Sequence, residues 1–245
     1  MNEIERFAAE VTHNVEELGR DERLHRLSNE WLEASARRRY SYNFTWLGRP
    51  IIQYPQDIVA LQEIVWRVRP DLIVETGIAH GGSLILSASL LELLGGDGRV
   101  VGIDIDVRAH NRAEIERHPL ARRITLIEGS SVAPEVASQV YALAEGRRRV
   151  LVILDSCHTH DHVLAELDLY ARLVKRGSYL IVFDTVVNDL PDELFTDRPW
   201  SSADNPKTAV HGFLKRCDRF EIDRSIQDKL QITVAPDGYL RCVKD

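Results

Sequence analysis

The sequence predicts an α/β protein: a doubly wound, mainly parallel sheet that ends in an antiparallel hairpin and carries an N-terminal helical extension. Three observations predict it. From about residue 56, short β-branched runs alternate with amphipathic stretches, the pattern of parallel strands covered by helices on both faces. After the fifth run this alternation gives way to a long polar loop, and the chain finishes in β-rich segments around a Pro-Asp-Gly turn. The 245 residues, 44% apolar and 28% charged, supply an ample core for one large domain with an extension.

Residues 1–55 read as a helical extension that runs into an aromatic-rich, irregular segment, "YSYNFTWLGRPIIQYPQD", suited to covering a substrate. Residues 56–245 form the main domain. Its strands are expected at "LIVET" (72–76), "RVVGID" (99–104), "RITLIEG" (123–129), "VLVILD" (150–155) and "SYLIVFD" (178–184). Helices are expected over 82–94, 134–145 and 159–175, the last with Val163, Leu167, Tyr170 and Val174 on one face and Arg176-Gly177 as its stop. The segment "TVVNDLPDELFTDRPWSSADNPKT" holds a loop, 186–206, long enough to be an active-site element. It closes on Asn205 and Pro206, an N-cap and first-turn proline that open a helix to about Arg219. The segments "RFEIDRSI" and "LQITVAPDGYLRCV" read as two or three more strands, with Pro236 to Gly238 as a tight hairpin turn.

Composition excludes several classes of function. Thirty-one basic and 38 acidic residues give a net charge of −7, and the triplets Arg37 to Arg39 and Arg147 to Arg149 are isolated, which argues against nucleic acid as partner. The charged N-terminal stretch lacks a signal-peptide core, and no run approaches the roughly 20 apolar residues of a membrane span. Cys157, Cys217 and Cys242 are scattered, without disulfide or zinc-knuckle spacing. A cytoplasmic protein with no membrane partner is expected.

The chemistry gathers at the carboxyl ends of the predicted strands, where ligands bind in open α/β sheets. The first strand runs into "ETGIAHGGS", whose Gly77, Gly81 and Gly82 allow a sharp turn and close approach of a ligand to a helix start. It is neither G-x-G-x-x-G nor a P-loop, and a tight turn without a ligand is the alternative. The second strand ends in "GIDID", placing Asp104 where a carboxylate accepts both hydrogen bonds of a ribose diol, although a solvated turn aspartate would look the same. The third ends in "EGSS", with Ser130 and Ser131 at the same edge. Strands four and five deliver Asp155 and Asp184 side by side, since parallel neighbours lie about 4.8 Å apart. Two such carboxylates repel unless hydrogen-bonded or bridged by a cation, and oxygen ligands on a rigid edge suit Mg²⁺ or another divalent ion.

The stretch "LDSCHTHDHV" is rich in histidine, but the glutamate of H-E-x-x-H is missing and His160 points away from His158 and His162, so zinc is disfavoured. His158, three residues beyond Asp155, is placed to take a proton from a hydroxyl held at the strand ends, a task for which imidazole is suited. His160 and His162 are expected to be solvated helix residues.

Together "ETGIAHGGS", "GIDID", "IEGSS", "LDSCHTHDHVLAEL", "GSYLIVFDT", "NPKTAV" and "ITVAPDGYL" resemble the cephalosporin hydroxylase (CmcI-like) family of class I S-adenosylmethionine-dependent methyltransferases, with their Rossmann-like fold, over roughly four fifths of the chain. The resemblance implies a methyltransferase domain over 56–245 and a cofactor site of Glu75, Thr76, Gly77, Gly81, Ser83, Asp104, Ser130 and Ser131, with Asp104 on the ribose and Ser131 near the adenine. The pairing of Asp155 and Asp184 looks like the Mg²⁺ site of catechol-type O-methyltransferases, which carry a basic residue where this chain has His158. One departure stands out: Phe183 occupies the position where some members have a second acid, which makes Thr185 the candidate third ligand.

The expected function is metal-assisted methyl transfer to a hydroxyl of a small, polyhydroxylated acceptor of sugar or natural-product type, by a homo-oligomer. Asp155 and His158 carry the chemistry. Asp189, Asp192, Arg198 and Trp200 of the loop, with Tyr40, Tyr42 and Trp46, are expected to line the acceptor pocket. A metal-independent N- or O-methyltransferase and a non-catalytic nucleoside-binding protein are the alternatives.

Overall fold

A computed structural model describes residues 1–245. At its N-terminus Asn2 accepts from the Glu5 amide while the Glu5 carboxylate accepts from the Asn2 amide, both at 2.9 Å, and this reciprocal cap starts α1 (Glu3–Arg20). Asp21 ends α1 and caps α2 (Glu22–Ala36). The aromatic stretch then forms a small hairpin, β1 (Phe44–Trp46) and β2 (Arg49–Ile51), turned at Leu47 and Gly48, both left-handed. Helix α3 (Pro55–Val68) leads into the sheet.

The main domain alternates β3 (Leu72–Thr76), α4 (Gly82–Leu94), β4 (Arg99–Asp104), α5 (Ala109–Arg117), β5 (Ile124–Glu128), α6 (Pro134–Ala144), β6 (Val150–Leu154), α7 (His160–Tyr170) and β7 (Tyr179–Val182). The chain continues through α8 (Pro206–Leu214), β8 (Phe220–Ile222), α9 (Arg224–Leu230) and β9 (Tyr239–Cys242). The seven strands are ordered β5-β4-β3-β6-β7-β9-β8, parallel except for β9, which runs antiparallel to both of its neighbours. This is the doubly wound sheet the alternation predicts. Ile73, Leu151, Ile153 and Ile181 face α3 and α4, while Leu72, Val74, Val152 and Leu180 face α6, α7 and α8. Strands buried on both faces read as unbroken apolar runs for this reason.

Several boundaries differ from expectation. The antiparallel pair β8–β9 exists, but it is not a tight hairpin: "RSI" starts α9, "QITV" is irregular, and the Pro236–Gly238 turn feeds β9. α7 stops at Tyr170 in favour of a 3-10 turn, and α8 stops at Leu214. The order of strands places the reversal point between β3 and β6, where adjacent strands leave the sheet edge in opposite directions and open a crevice. No helix is long and apolar enough to cross a membrane.

Candidate active site

The crevice is a cavity of about 700 Å³ over the carboxyl ends of β3, β4, β6 and β7, within the range of ligand sites. Gly77, Ser83, Asp104, Asp155, His158 and Asp184 all line it. The turn after β3 is tightly held. Gly77 has φ 79°, and a Cβ there would overlap the Asp155 carbonyl; Gly82 is pressed just as closely on the Pro50 carbonyl of β2. From β2, Arg49 donates to the His80 carbonyl through Nε at 3.1 Å and Nη2 at 2.6 Å, and Nη2 also reaches Asn111 Oδ1 at 3.0 Å. Buried Asn111 in turn donates to the Ala79 carbonyl at 3.0 Å. These contacts fix a loop in which Ala79 itself is left-handed, at φ 44°.

Below that loop Glu75 is buried. Its Oε1 accepts from the Ser83 hydroxyl, its Oε2 has no partner, and burial pushes its carboxyl up to about 7. Gln53, equally buried, also presents an unpartnered Oε1 to the recess that Glu75, Ser83 and Asp155 line. Orphaned acceptors facing a cavity suit a ligand that brings hydrogen-bond donors or positive charge. At the end of β4, Asp104 accepts from the Ile78 amide at 2.9 Å and the Asp106 amide at 3.1 Å, and each oxygen keeps a lone pair for a diol.

Asp155 and Asp184 stand at the ends of adjacent β6 and β7, and His158 folds back over them. Ligand atoms of the three lie within 4.8 Å of one another, and His158 Nε2 is 3.1 Å from Asp184 Oδ2. Burial and then the Asp184 charge hold the Asp155 carboxyl well above the usual carboxylate range. A divalent cation fits this donor set and would relieve the repulsion. Trp200, from the long loop, meets the His158 ring edge-on at 4.6 Å.

Other expected residues lie elsewhere. Thr185 is fully buried, its hydroxyl donating to the Pro236 carbonyl at 2.7 Å, because the turn after β7 swings it away from the cluster. Phe183 packs edge-on against Tyr239 on the α3 side. Thr76 is buried, with its carbonyl accepting from the Asp155 amide at 2.9 Å, and Gly81 abuts Ile115. Ser130 and Ser131 are not on the cavity wall; Ser131 Oγ lies 3.0 Å from His162 Nε2, behind the end of β5. His162 is therefore not a solvated helix residue: it lies 3.1 Å from Ser156 Oγ, and Ser156 donates to the fully buried Glu166 at 2.7 Å. His160 is likewise engaged, 2.8 Å from Thr208 of α8. Of the expected acceptor-pocket residues, Tyr42, Arg198 and Trp200 line the cavity, while Tyr40 packs against Trp31, Phe44 and Tyr54. The Trp46 indole is taken by Ser89 at 3.0 Å, Asp192 accepts from the Ser202 amide at 2.7 Å, and Asp189 pairs with Lys207 at 2.5 Å.

The family model described as "Rhamnosyl O-methyltransferase/CmcI" matches residues 38–243. The chain belongs to the rhamnosyl O-methyltransferase/CmcI family. It is thus an O-methyltransferase by membership. A rhamnosyl O-methyltransferase of Mycobacterium leprae (strain TN) is 30% identical over 200 residues, covering 80% of this chain and 82% of the relative. That of Mycobacterium tuberculosis (strain ATCC 25618 / H37Rv) is 32% identical over 201 residues, covering 80% and 77%. Among solved structures, the apo form of CmcI-N160 superposes with TM-score 0.58 at 21% identity over 83% of this chain and 78% of that one. An O-methyltransferase from Bacillus cereus in complex with SAH gives 0.51 at 16% identity over 79% and 81%. Both likenesses are of fold, that of a class I methyltransferase. The family model matches from residue 38 onward, so α1 and α2 lie outside the matched region.

Proposed function

We propose that this family member transfers the methyl group of S-adenosylmethionine to a hydroxyl of a sugar-type acceptor, with a divalent cation at the strand ends. The observation that carries the reading is the cluster of Asp155, His158 and Asp184 on the same cavity as the Gly77 turn and Asp104. Rhamnosyl relatives and the Mg–SAM complex of CmcI-D160 support the acceptor class and the cofactors. When bound, S-adenosylmethionine supplies an activated methyl on its sulfonium, and a cation such as Mg²⁺ makes an acceptor hydroxyl more acidic.

Asp155 and Asp184 hold the cation, and they fix where the reacting oxygen sits relative to the donor pocket. Glu75, Gly77 and Ser83 receive the amino-acid end of the donor, and Asp104 receives its ribose. Thr76 and Gly81 set the backbone of that pocket, and Ser130 and Ser131 support the adenine end from behind. With Asp184 engaged by the cation in place of its contact with His158, the His158 Nε2 would be free to accept the hydroxyl proton. Trp200 keeps its ring from turning and, with the loop over 186–206, excludes water. Thr185 serves this site through the backbone: its bond to Pro236 anchors the turn that carries Asp184.

Residues 1–55 act as the covering segment and 56–245 as the catalytic domain. The reading includes a homo-oligomer, supported by the exposed apolar residues Ile4, Phe7 and Val11 on α1, and a reducing, cytoplasmic setting, supported by free thiols at Cys157, Cys217 and Cys242.

Thermal unfolding with S-adenosylhomocysteine, with and without Mg²⁺, tests the assignment on wild type, Asp104→Ala and Asp155→Ala. The nucleoside should raise the wild-type Tm, Mg²⁺ should add to it, Asp104→Ala should lose the first shift, and Asp155→Ala should lose the Mg²⁺ increment. Absence of any nucleoside shift in wild type overturns the reading. Full turnover in EDTA would leave the donor site but remove the cation.

A further inference from the structure

The cavity extends beyond the cation cluster into a chamber walled by the N-terminal segment on one side and the long loop on the other, and each wall presents an arginine stacked on an aromatic ring. Within the basic triplet Arg37 is spent on Glu33, 2.6 Å away. Arg39 is not. Its guanidinium lies over the Tyr42 ring, 4.2 Å from the centroid, without a carboxylate partner, and both residues line the cavity. Its backbone sits in the left-handed region, at φ 53° and ψ 44°, which a non-glycine residue adopts at an energetic cost. From the long loop, Arg198 stacks on Trp200 at 5.4 Å, both also line the cavity, and Trp200 is the residue that meets His158. Its one ion pair is a loose contact with its neighbour Asp197 at 3.8 Å, whose side chain is 82% exposed.

Two guanidiniums held on rings at one cavity, that of Arg198 one contact removed from His158, are a poor arrangement for a neutral sugar. A guanidinium is a planar fork of donors that matches phosphate or carboxylate oxygens, and stacking on an aromatic ring leaves its edge free to do so. Resting on the methyltransferase reading above, we propose that the acceptor is an anionic sugar derivative: Arg39 and Arg198 hold its phosphate or carboxylate while a ring hydroxyl faces Asp155, Asp184 and His158. Tyr42 and Trp200 then flank the sugar ring, and the two arginines determine which acceptors enter.

The test is calorimetric binding to enzyme saturated with S-adenosylhomocysteine and Mg²⁺, using glucose, glucuronate and glucose 1-phosphate. Either or both anionic sugars should bind roughly tenfold or more tightly than glucose, the gain expected of hydrogen bonds to a charged group, and which of the two is preferred distinguishes phosphate from carboxylate. Arg39→Gly suits the backbone at that position and should fold, with the wild-type affinity for S-adenosylhomocysteine. It and Arg198→Gln should each shrink the preference for the anionic sugar, the double variant should abolish it, and Arg39→Lys should restore part. Equal binding of neutral and anionic sugars, no binding of either anion, or a preference that survives in the double variant would overturn the proposal. Failure of S-adenosylhomocysteine itself to bind would instead remove the reading on which it rests.

Discussion

Asp184 is held in a conformation that few side chains tolerate, with φ 55° and ψ 21°. Aspartate accepts this region better than most residues, and the following backbone secures it: the Val186 amide donates to the Val234 carbonyl at 3.1 Å and Thr185 Oγ1 to the Pro236 carbonyl at 2.7 Å. The carboxylate is thereby turned toward Asp155 and His158, against the repulsion that helps raise the Asp155 carboxyl. Asp184→Asn should keep the left-handed turn, which asparagine also favours, while removing that repulsion. The expected result is an unchanged or higher Tm without metal and no further rise on adding Mg²⁺; a Mg²⁺ shift of wild-type size would contradict the role given to Asp184. At this scale the sequence was most informative where a strand aims the side chain. Asp155 follows β6 directly and Asp184 lies two residues past β7, close enough to the strand ends to be placed. Thr185 begins the 3-10 turn after Asp184, and His160 and His162 lie in the first turn of α7, where local backbone angles decide direction, and those angles leave little trace in residue type.

At the scale of elements, the Gly77–Gly82 turn is braced from outside its own βα unit. Arg49 reaches it from β2 and Asn111 from α5, both donating to loop carbonyls. Arg49→Ala should therefore weaken S-adenosylhomocysteine binding by about tenfold, the loss of a charged hydrogen-bond donor, with a smaller change in the KM for acceptor. Arg49→Lys should recover part of the affinity, since a lysine offers fewer donors in a less rigid array. Equal losses for donor and acceptor would point to general destabilisation instead. The alternating units of β3 to β7 were legible because fully buried strands and their covering helices have distinct apolar patterns. The hairpin β1–β2 was not, because its turn is Leu47-Gly48 and not Asn-Gly, and α9 was hidden because the mixed pattern of "EIDRSI" satisfies a strand as well as a helix start. The brace on the glycine turn involves residues 31 positions apart or more and has no local signal at all.

For the whole molecule, buried acids dominate the response to pH. Asp57 on α3 is almost fully buried, and burial raises its carboxyl from the ordinary 3.8 to about 6 although Thr233, Tyr239 and the Val234 amide all donate to it. The folded chain thus keeps a proton that the unfolded chain has already released. Stability from this group is fully present below about pH 3.8 and is lost as pH rises to about 6, an effect of about 3 kcal/mol. Glu75, raised from 4.5 to about 7, acts in the same direction over a higher window. Calorimetry from pH 4 to 7 without ligands should show the Tm of Asp57→Asn gaining on wild type as pH rises; parallel curves would refute the assignment.

The same carboxylate has a bearing on the order in which the chain folds. Asp57 bonds residues 176 to 182 positions later, and that C-terminal segment supplies the carbonyls that anchor the turn at Asp184. On a ribosome, β3 to β6 emerge well before these partners, so the donor side of the crevice can assemble early while the cation side waits for Thr233 to Tyr239. Closing so long a loop is slow. A nascent chain halted near residue 230 would lack both the donors that hold Asp57 and the carbonyls that hold the turn at Asp184, so the cation side of the crevice is the last part of the site to be completed.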